Sequence, residues 1–136
     1  MQRTAATRHF SGTYVEARGK FLDAAAQAGA SVESFVMDHV RGALGEELAT
    51  DVARLGATDA EKLLIVTSGT HGPEGFCGSG CQIATLNDAN LLERLQKANV
   101  ALLLIHAVNP HGFSHLHRTN EDNIDLNRNF VDFSQP

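Results

Sequence analysis

Two short apolar runs organise the middle of this sequence. Leu63–Thr67 (LLIVT) and Val100–Val108 (VALLLIHAV) are each nearly continuous. Apolar runs without alternation read as strands covered on both faces, so Leu63–Thr67 is expected to be a central strand. Between them, Ile83, Ala84, Leu86, Leu91, Leu92 and Leu95 recur at helical offsets. That spacing predicts a helix over 83–98, closed by Asn99. Strand, helix, strand is a βαβ unit, which implies parallel pairing through a crossover. In open α/β sheets ligands collect beyond the carboxyl ends of the strands. Here those ends lead into THGPEG (Thr70–Gly75) and into the polar segment NPHGFSHLHRTNED (109–122), read as a loop opened by its Asn-Pro pair. The groups capable of chemistry therefore gather along one edge of the sheet.

The flanking sequence adds further elements. Tyr14, Val15, Phe21, Leu22 and Ala25 place a helix within 11–30, with Gly29 as its stop. Residues 31–40 (SVESFVMDHV) read as a strand with both faces partly covered, and 48–55 as another, set by Leu48, Val52 and Leu55. Ile124–Phe130 reads as a short strand or strand end. The expected fold is α/β, a mixed, largely parallel twisted sheet with flanking helices. Mixed pairing follows from the close, hairpin-like spacing of the early strands. A chain of 136 residues, 43% hydrophobic, suits a single domain with a packed core.

Composition excludes several classes of function. Net charge is -5 and no basic block stands out, so nucleic-acid binding has no electrostatic support. No apolar run has the length of a membrane span, and MQRTAATRHF lacks the apolar core of a secretory signal. A cytoplasmic protein is expected. Cys77 and Cys81 are too few for a disulfide framework, and C-x-x-x-C does not match the usual zinc-knuckle spacing; both read as small residues packed against the sheet. GFCGSG lacks the Gly-Lys-Ser/Thr of a P-loop, so its glycines read as a turn that approaches the sheet closely.

His71 and Glu74 form an H-x-x-E in a turn bent by Gly72 and Pro73. Imidazole nitrogen and carboxylate oxygen are zinc donors, which makes the pair a candidate metal site; a surface His and Glu is the alternative. In the segment 125–130, alternation places Asp125, Asn127 and Asn129 on one side and Leu126 and Arg128 on the other. Arg128 could bind a carboxylate through its two-pronged fork, or form a surface or buried structural ion pair. His106, inside an apolar strand, reads as a hydrogen-bonded core residue, and His9 and His39 have no evident companion.

HGPEG, NPHGF, HRTN and DLNRNF, in that order, resemble the zinc carboxypeptidase superfamily (carboxypeptidase A/B-like metallopeptidases), in particular a bacterial branch of it. The resemblance runs from about Leu63 to Phe133. It implies that His71 and Glu74 are two of three protein zinc ligands. It implies that Asp125 orients the first zinc-binding imidazole, and that Asn127 and Arg128 bind the substrate's terminal carboxylate. Arg118 matches the arginine that polarises the scissile carbonyl. The implied activity is hydrolysis of a peptide or amide bond beside a free carboxylate, with Zn2+ as cofactor and a peptide or acyl-amino acid as substrate.

The resemblance also implies a third histidine ligand and a general-base glutamate further downstream, and neither has a match before Pro136. Residues 1–136 are thus expected to be the N-terminal portion of an incomplete phosphorylase/hydrolase-like zinc peptidase domain, inactive alone. Self-association, or pairing with a C-terminal half, would cover its exposed sheet. Local substitutes for the third ligand are His111, His115 and His117, though loop histidines are usually solvated. An aspartoacylase or succinylglutamate desuccinylase-like deacylase of N-acyl amino acids is an alternative reading, and a non-catalytic binding module is another.

Overall fold

The computed structural model describes residues 5–129 together with 132, 134 and 135. After a 3-10 turn at Ala5–His9 come α1 (Tyr14–Gln27), β1 (Ser31–Val36), β2 (Ala49–Leu55) and β3 (Lys62–Thr67). Then follow α2 (Gly72–Leu86), α3 (Leu91–Ala98), β4 (Val100–His106) and α4 (Pro110–His115). The fold is α/β, a mixed four-stranded sheet in the order β1-β2-β4-β3 with flanking helices.

One part of the expected sheet is corrected. Only β3 and β4 pair in parallel, whereas β1–β2 and β2–β4 are antiparallel, so the described sheet is not largely parallel. The cause is the short link between β2 and β3, which reverses the chain where a parallel neighbour would need a longer crossover. That link passes over the start of β4. At Gly56 φ is +100°, and a Cβ there would lie 3.0 Å from the Val100 carbonyl oxygen. β3 is also an edge strand, not a central one: all six of its residues are exposed, as are all six of β1.

The helices depart from the sequence reading where glycine and proline weighed most. GFCGSG is helical rather than a turn, and lies inside α2. The single expected helix over 83–98 is two, α2 and α3, parted at 87–90. Glycines inside a helix each cost about 1 kcal/mol relative to alanine. Close packing explains their presence. A Cβ at Gly75 would sit 3.0 Å from the Phe113 ring, and one at Gly78 would sit 2.8 Å from Ser68 Cβ. The 109–122 segment is not all loop, because Pro110–His115 forms α4 behind an Asn109 cap. No strand forms among the described residues of 124–129; a turn closes there by the Arg128 N–H donating to the Asp125 carbonyl at 3.0 Å. Phe130 lies outside the described residues. Cys77 and Cys81 are exposed rather than packed as core residues against the sheet, Cys81 at the wall of the open cavity beside β3.

The core lies on one face of the sheet. Phe21, Ala24 and Ala25 of α1, Ile83 and Leu86 of α2, and Leu91 and Leu95 of α3 meet Ala53, Leu55, Leu102 and Leu104. Asp51 and His106, paired across β2 and β4, share that face. His106 is fully buried, with Nε2 bonded to Ser79 Oγ at 2.9 Å and its ring stacked on Phe21 at 4.5 Å, as expected of a core histidine. Asp51 is held by Arg18 (2.8 Å) and Ser34 (2.5 Å), which balances its burial.

Candidate functional site

The parallel pairing of β3 with β4 places their two exits side by side. The ladder continues past both strands: Val108 N–H donates to the Ser68 carbonyl, and Asn109 N–H to the Gly69 carbonyl, each at 2.9 Å. The crossing is tight. Ala107, fully buried, adopts φ +60°, and Gly69 adopts φ +68° with Ala107 Cα 3.1 Å from where its Cβ would be. A non-glycine residue in this region carries backbone strain of about 1–2 kcal/mol.

His71 is the N-cap residue of α2, with φ -115° and ψ 142°, and Glu74 stands in the first helical turn. H-x-x-E is therefore a cap and the third helical position, not a free turn. This location favours the carboxylate, because the helix N-terminus is the positive end of its dipole. Gly72 is compelled by packing. A Cβ on it would collide with the Gly112 carbonyl, and its N–H donates to the His117 carbonyl at 2.9 Å.

The His71 ring lies between two acids. Its Nε2 is 2.9 Å from Asp125 Oδ1, and its Nδ1 is 3.8 Å from Glu74 Oε1. The ring is 11% exposed and Asp125 17%, whereas Glu74 is 66% exposed. Asp125 is the hub. Its Oδ2 accepts from Arg118 Nε at 2.7 Å, and its Oδ1 also accepts the Asn127 N–H at 3.0 Å. The bond to His71, then that to Arg118, holds its carboxyl at about 2, well below the usual 3.8. An ionised Asp125 accepts a hydrogen from Nε2, which leaves Nδ1 as the ring nitrogen turned toward Glu74. A proton on Nδ1, or a cation held between the nitrogen and the carboxylate, would join the two groups.

The structure thus brings His71, Glu74, Asp125 and Arg118 together. Asn127 and Arg128 follow in the same turn with exposed side chains; the Arg128 guanidinium donates to the Asn127 carbonyl at 3.3 Å. The alternation expected for 125–129 does not hold, since a turn replaces the strand. A zinc ion bonds to nitrogen and oxygen at about 2.0–2.2 Å, so two such bonds span up to ~4.2 Å. The 3.8 Å between Nδ1 and Oε1 falls within that reach, and the pair fits two positions of such an ion. Among the described residues no group of three or more His, Cys, Asp or Glu forms a metal site. His111, His115 and His117 cluster with ring centroids 4.3–6.3 Å apart, and among the described residues they form no metal-holding group with His71. His115 Nε2 lies 3.1 Å from the Arg41 carbonyl, and His39, thought to lack a companion, lies 3.3 Å from Glu121.

Cavity size alone would point elsewhere. The cavity of about 680 Å3 between β3 and α3 is lined by Leu64, Val66, Leu91 and Leu95 and lacks His71 and Glu74. Chemistry, not volume, identifies the candidate site. The residue the sequence reading passed over is Asn109, noted only as half of an Asn-Pro pair. It is 2% exposed, and its side chain bridges both strand exits.

A family model described as "Protein of unknown function (DUF2817)" matches residues 10–136. Among solved structures, the chain is similar to the crystal structure of a "putative carboxypeptidase" from Burkholderia mallei ATCC 23344. That match has 24% identity and a TM-score of 0.59, and it covers 83% of this chain and 30% of that one. The chain therefore spans less than a third of that protein's length, and at this identity the likeness shows the fold, which is carboxypeptidase-like. The esterase LipW from Mycobacterium marinum matches at 20% identity over 68% of this chain and 26% of that one; its TM-score of 0.35 carries no argument. No curated protein matches the chain. No helix among the described residues is long and apolar enough to cross a membrane.

Proposed function

We propose that this chain, which belongs to the DUF2817 family, contributes part of the site of a zinc-dependent metallocarboxypeptidase-like hydrolase. The reaction is cleavage of a peptide or amide bond next to a free carboxylate. The observation that supports this most directly is the His71 imidazole, fixed at Nε2 by Asp125 with Nδ1 turned toward Glu74. A nitrogen and a carboxylate oxygen so placed are a donor pair for a cation. That observation is joined by the carboxypeptidase-like fold and by the name the Burkholderia mallei protein carries.

His71 Nδ1 and Glu74 would hold the ion. Zinc, when bound, supplies a water of pKa near ~7 and polarises a carbonyl. Asp125 keeps the imidazole in one orientation and one tautomer by accepting the Nε2 hydrogen, as carboxylates do for metal-bound histidines. Arg118, anchored through Nε, aims a fixed cation where negative charge develops on the carbonyl oxygen. Asn127 and Arg128 hold the substrate's free carboxylate, the guanidinium offering two parallel donors. In this reading residues 1–136 are a partial domain of a cytoplasmic enzyme. The third ligand and the general base come from a C-terminal half, and the substrate is a peptide or an acyl-amino acid.

Zinc titration of this chain by calorimetry tests the reading. One ion per chain, bound in the wild type and lost in His71→Ala with unchanged circular dichroism, is the expected result. A folded wild type that takes up no zinc, or a His71→Ala variant that binds as well, would sink it.

A further inference from the structure

We propose that Asn109 is the positioning residue of the His71–Glu74 pair, clamping the two strand exits into one piece. The inference rests on the reading above for what the pair does, but not for how it is held. Asn109 is 2% exposed, and all of its polar groups are engaged. Its Oδ1 accepts the Gly112 N–H at 2.8 Å, and its Nδ2 donates to the Thr70 carbonyl at the longer distance of 3.4 Å. Its backbone N–H donates to the Gly69 carbonyl at 2.9 Å, and its carbonyl accepts the Phe113 N–H at 3.0 Å. One side chain thus faces the residue before His71 with a donor and the turn after β4 with an acceptor.

Few side chains can do both. Aspartate keeps the acceptor but presents a second oxygen to the Thr70 carbonyl. Leucine has the shape and neither group. Serine is too short to span the two exits. A buried polar group left unpaired costs about 1–3 kcal/mol, so the requirement is strict. The surroundings are equally tight. The His117 carbonyl accepts the Gly72 N–H at 2.9 Å, and the His117 N–H returns to the Gly112 carbonyl at 2.8 Å. A Cβ on Gly112 would lie 2.8 Å from the carbonyl oxygens of both His117 and Thr119 and would collide with the Asn109 amide. The Thr70 peptide is bonded directly to His71, so its rotation changes the direction of the imidazole. Metal sites respond to such supporting contacts by about 10–100-fold in affinity.

The test uses Asn109→Asp and Asn109→Ala beside the wild type, with two readouts. The first is the imidazole Nε2–H of His71 by nitrogen-15 NMR in metal-free protein. The second is zinc affinity. The expected result is a broadened or displaced Nε2–H signal in both variants and zinc binding weakened about tenfold or more. A shifted signal in a protein that never binds zinc upholds the clamp and removes the metal reading. An unmoved signal with unchanged zinc affinity, even if the variants melt earlier, overturns the clamp and leaves the metal reading standing. Should both variants fail to fold, hydrogen exchange in the wild type decides. Protected Asn109 side-chain NH2 protons with matched rates at the Gly72 and Gly112 amides support the clamp, and unprotected NH2 protons overturn it.

Discussion

Asp125 joins a histidine, an arginine and a backbone amide through two oxygen atoms. Asp125→Asn keeps the size and exchanges one acceptor for a donor, which cannot serve both partners. It is expected to free the His71 ring and weaken the zinc binding proposed above by about 10–100-fold in calorimetry, with the melting temperature little changed. Because the Asp125 carboxyl is held at about 2 rather than 3.8, its contribution is complete above pH ~4 and fades only as pH falls through about 2. His106 responds in a different range. Burial lowers its pKa from 6.5 to about 4, so it stays neutral in the folded chain while the unfolded chain takes up a proton. Its stabilising contribution is full above pH ~6.5 and is lost as pH falls toward about 4, a change of ~3 kcal/mol at about 1.4 kcal/mol per pH unit. Urea denaturation at pH 7 and pH 4.5 measures it. His106→Gln, which does not titrate, should show a markedly flatter dependence. The burial of His106 was legible from its place in an apolar run. Its Ser79 partner was not, because Ser79 sits in a glycine-rich stretch that looked like a turn.

Among the elements, α2 shows how local preference yields to packing. GFCGSG reads as a breaker when its neighbours in space are unknown, and only the Phe113 ring and Ser68 explain why glycines persist in a helix there. The strands were far more legible, since β2, β3 and β4 lie within a residue or two of their apolar runs. What the runs could not disclose was order: a short β2–β3 link and a β4 inserted between them make β3 an edge. The geometry of the candidate site was legible in the same uneven way. HGPEG and the aspartate of DLNRNF do meet, 54 residues apart. The turn at 125–128 was hidden by an alternation that any extended segment would share. Two substitutions probe these elements. Gly72→Ala puts a methyl group into the Gly112 carbonyl and is expected to cost at least ~2–3 kcal/mol in denaturant unfolding, as overpacking against backbone does. Ala107→Gly relieves a φ of +60°; it is expected to stabilise by up to ~1 kcal/mol, less whatever the buried methyl contributed.

At the scale of the molecule, the described helices contribute to a core on one side of the sheet. The opposite side carries Phe35, Leu63 and Ile65, each more than half exposed, beside the partly buried Val52, Leu103 and Ile105. β3, whose outer edge no other described strand pairs, has the sequence KLLIVT, which combines β-propensity, low charge and no proline. Concentrated solutions are therefore expected to form sheet-rich aggregates, followed by thioflavin T fluorescence. Ile65→Lys, a charge on that open side, should lengthen the lag phase several-fold without lowering the unfolding midpoint. The ladder that runs past β3 and β4 has its own consequence for mechanics. Because 68–69 and 108–109 are stitched together beyond the strands, the histidine-bearing lip and the asparagine-bearing lip cannot hinge separately. Whatever approaches this rim meets one stiff jaw.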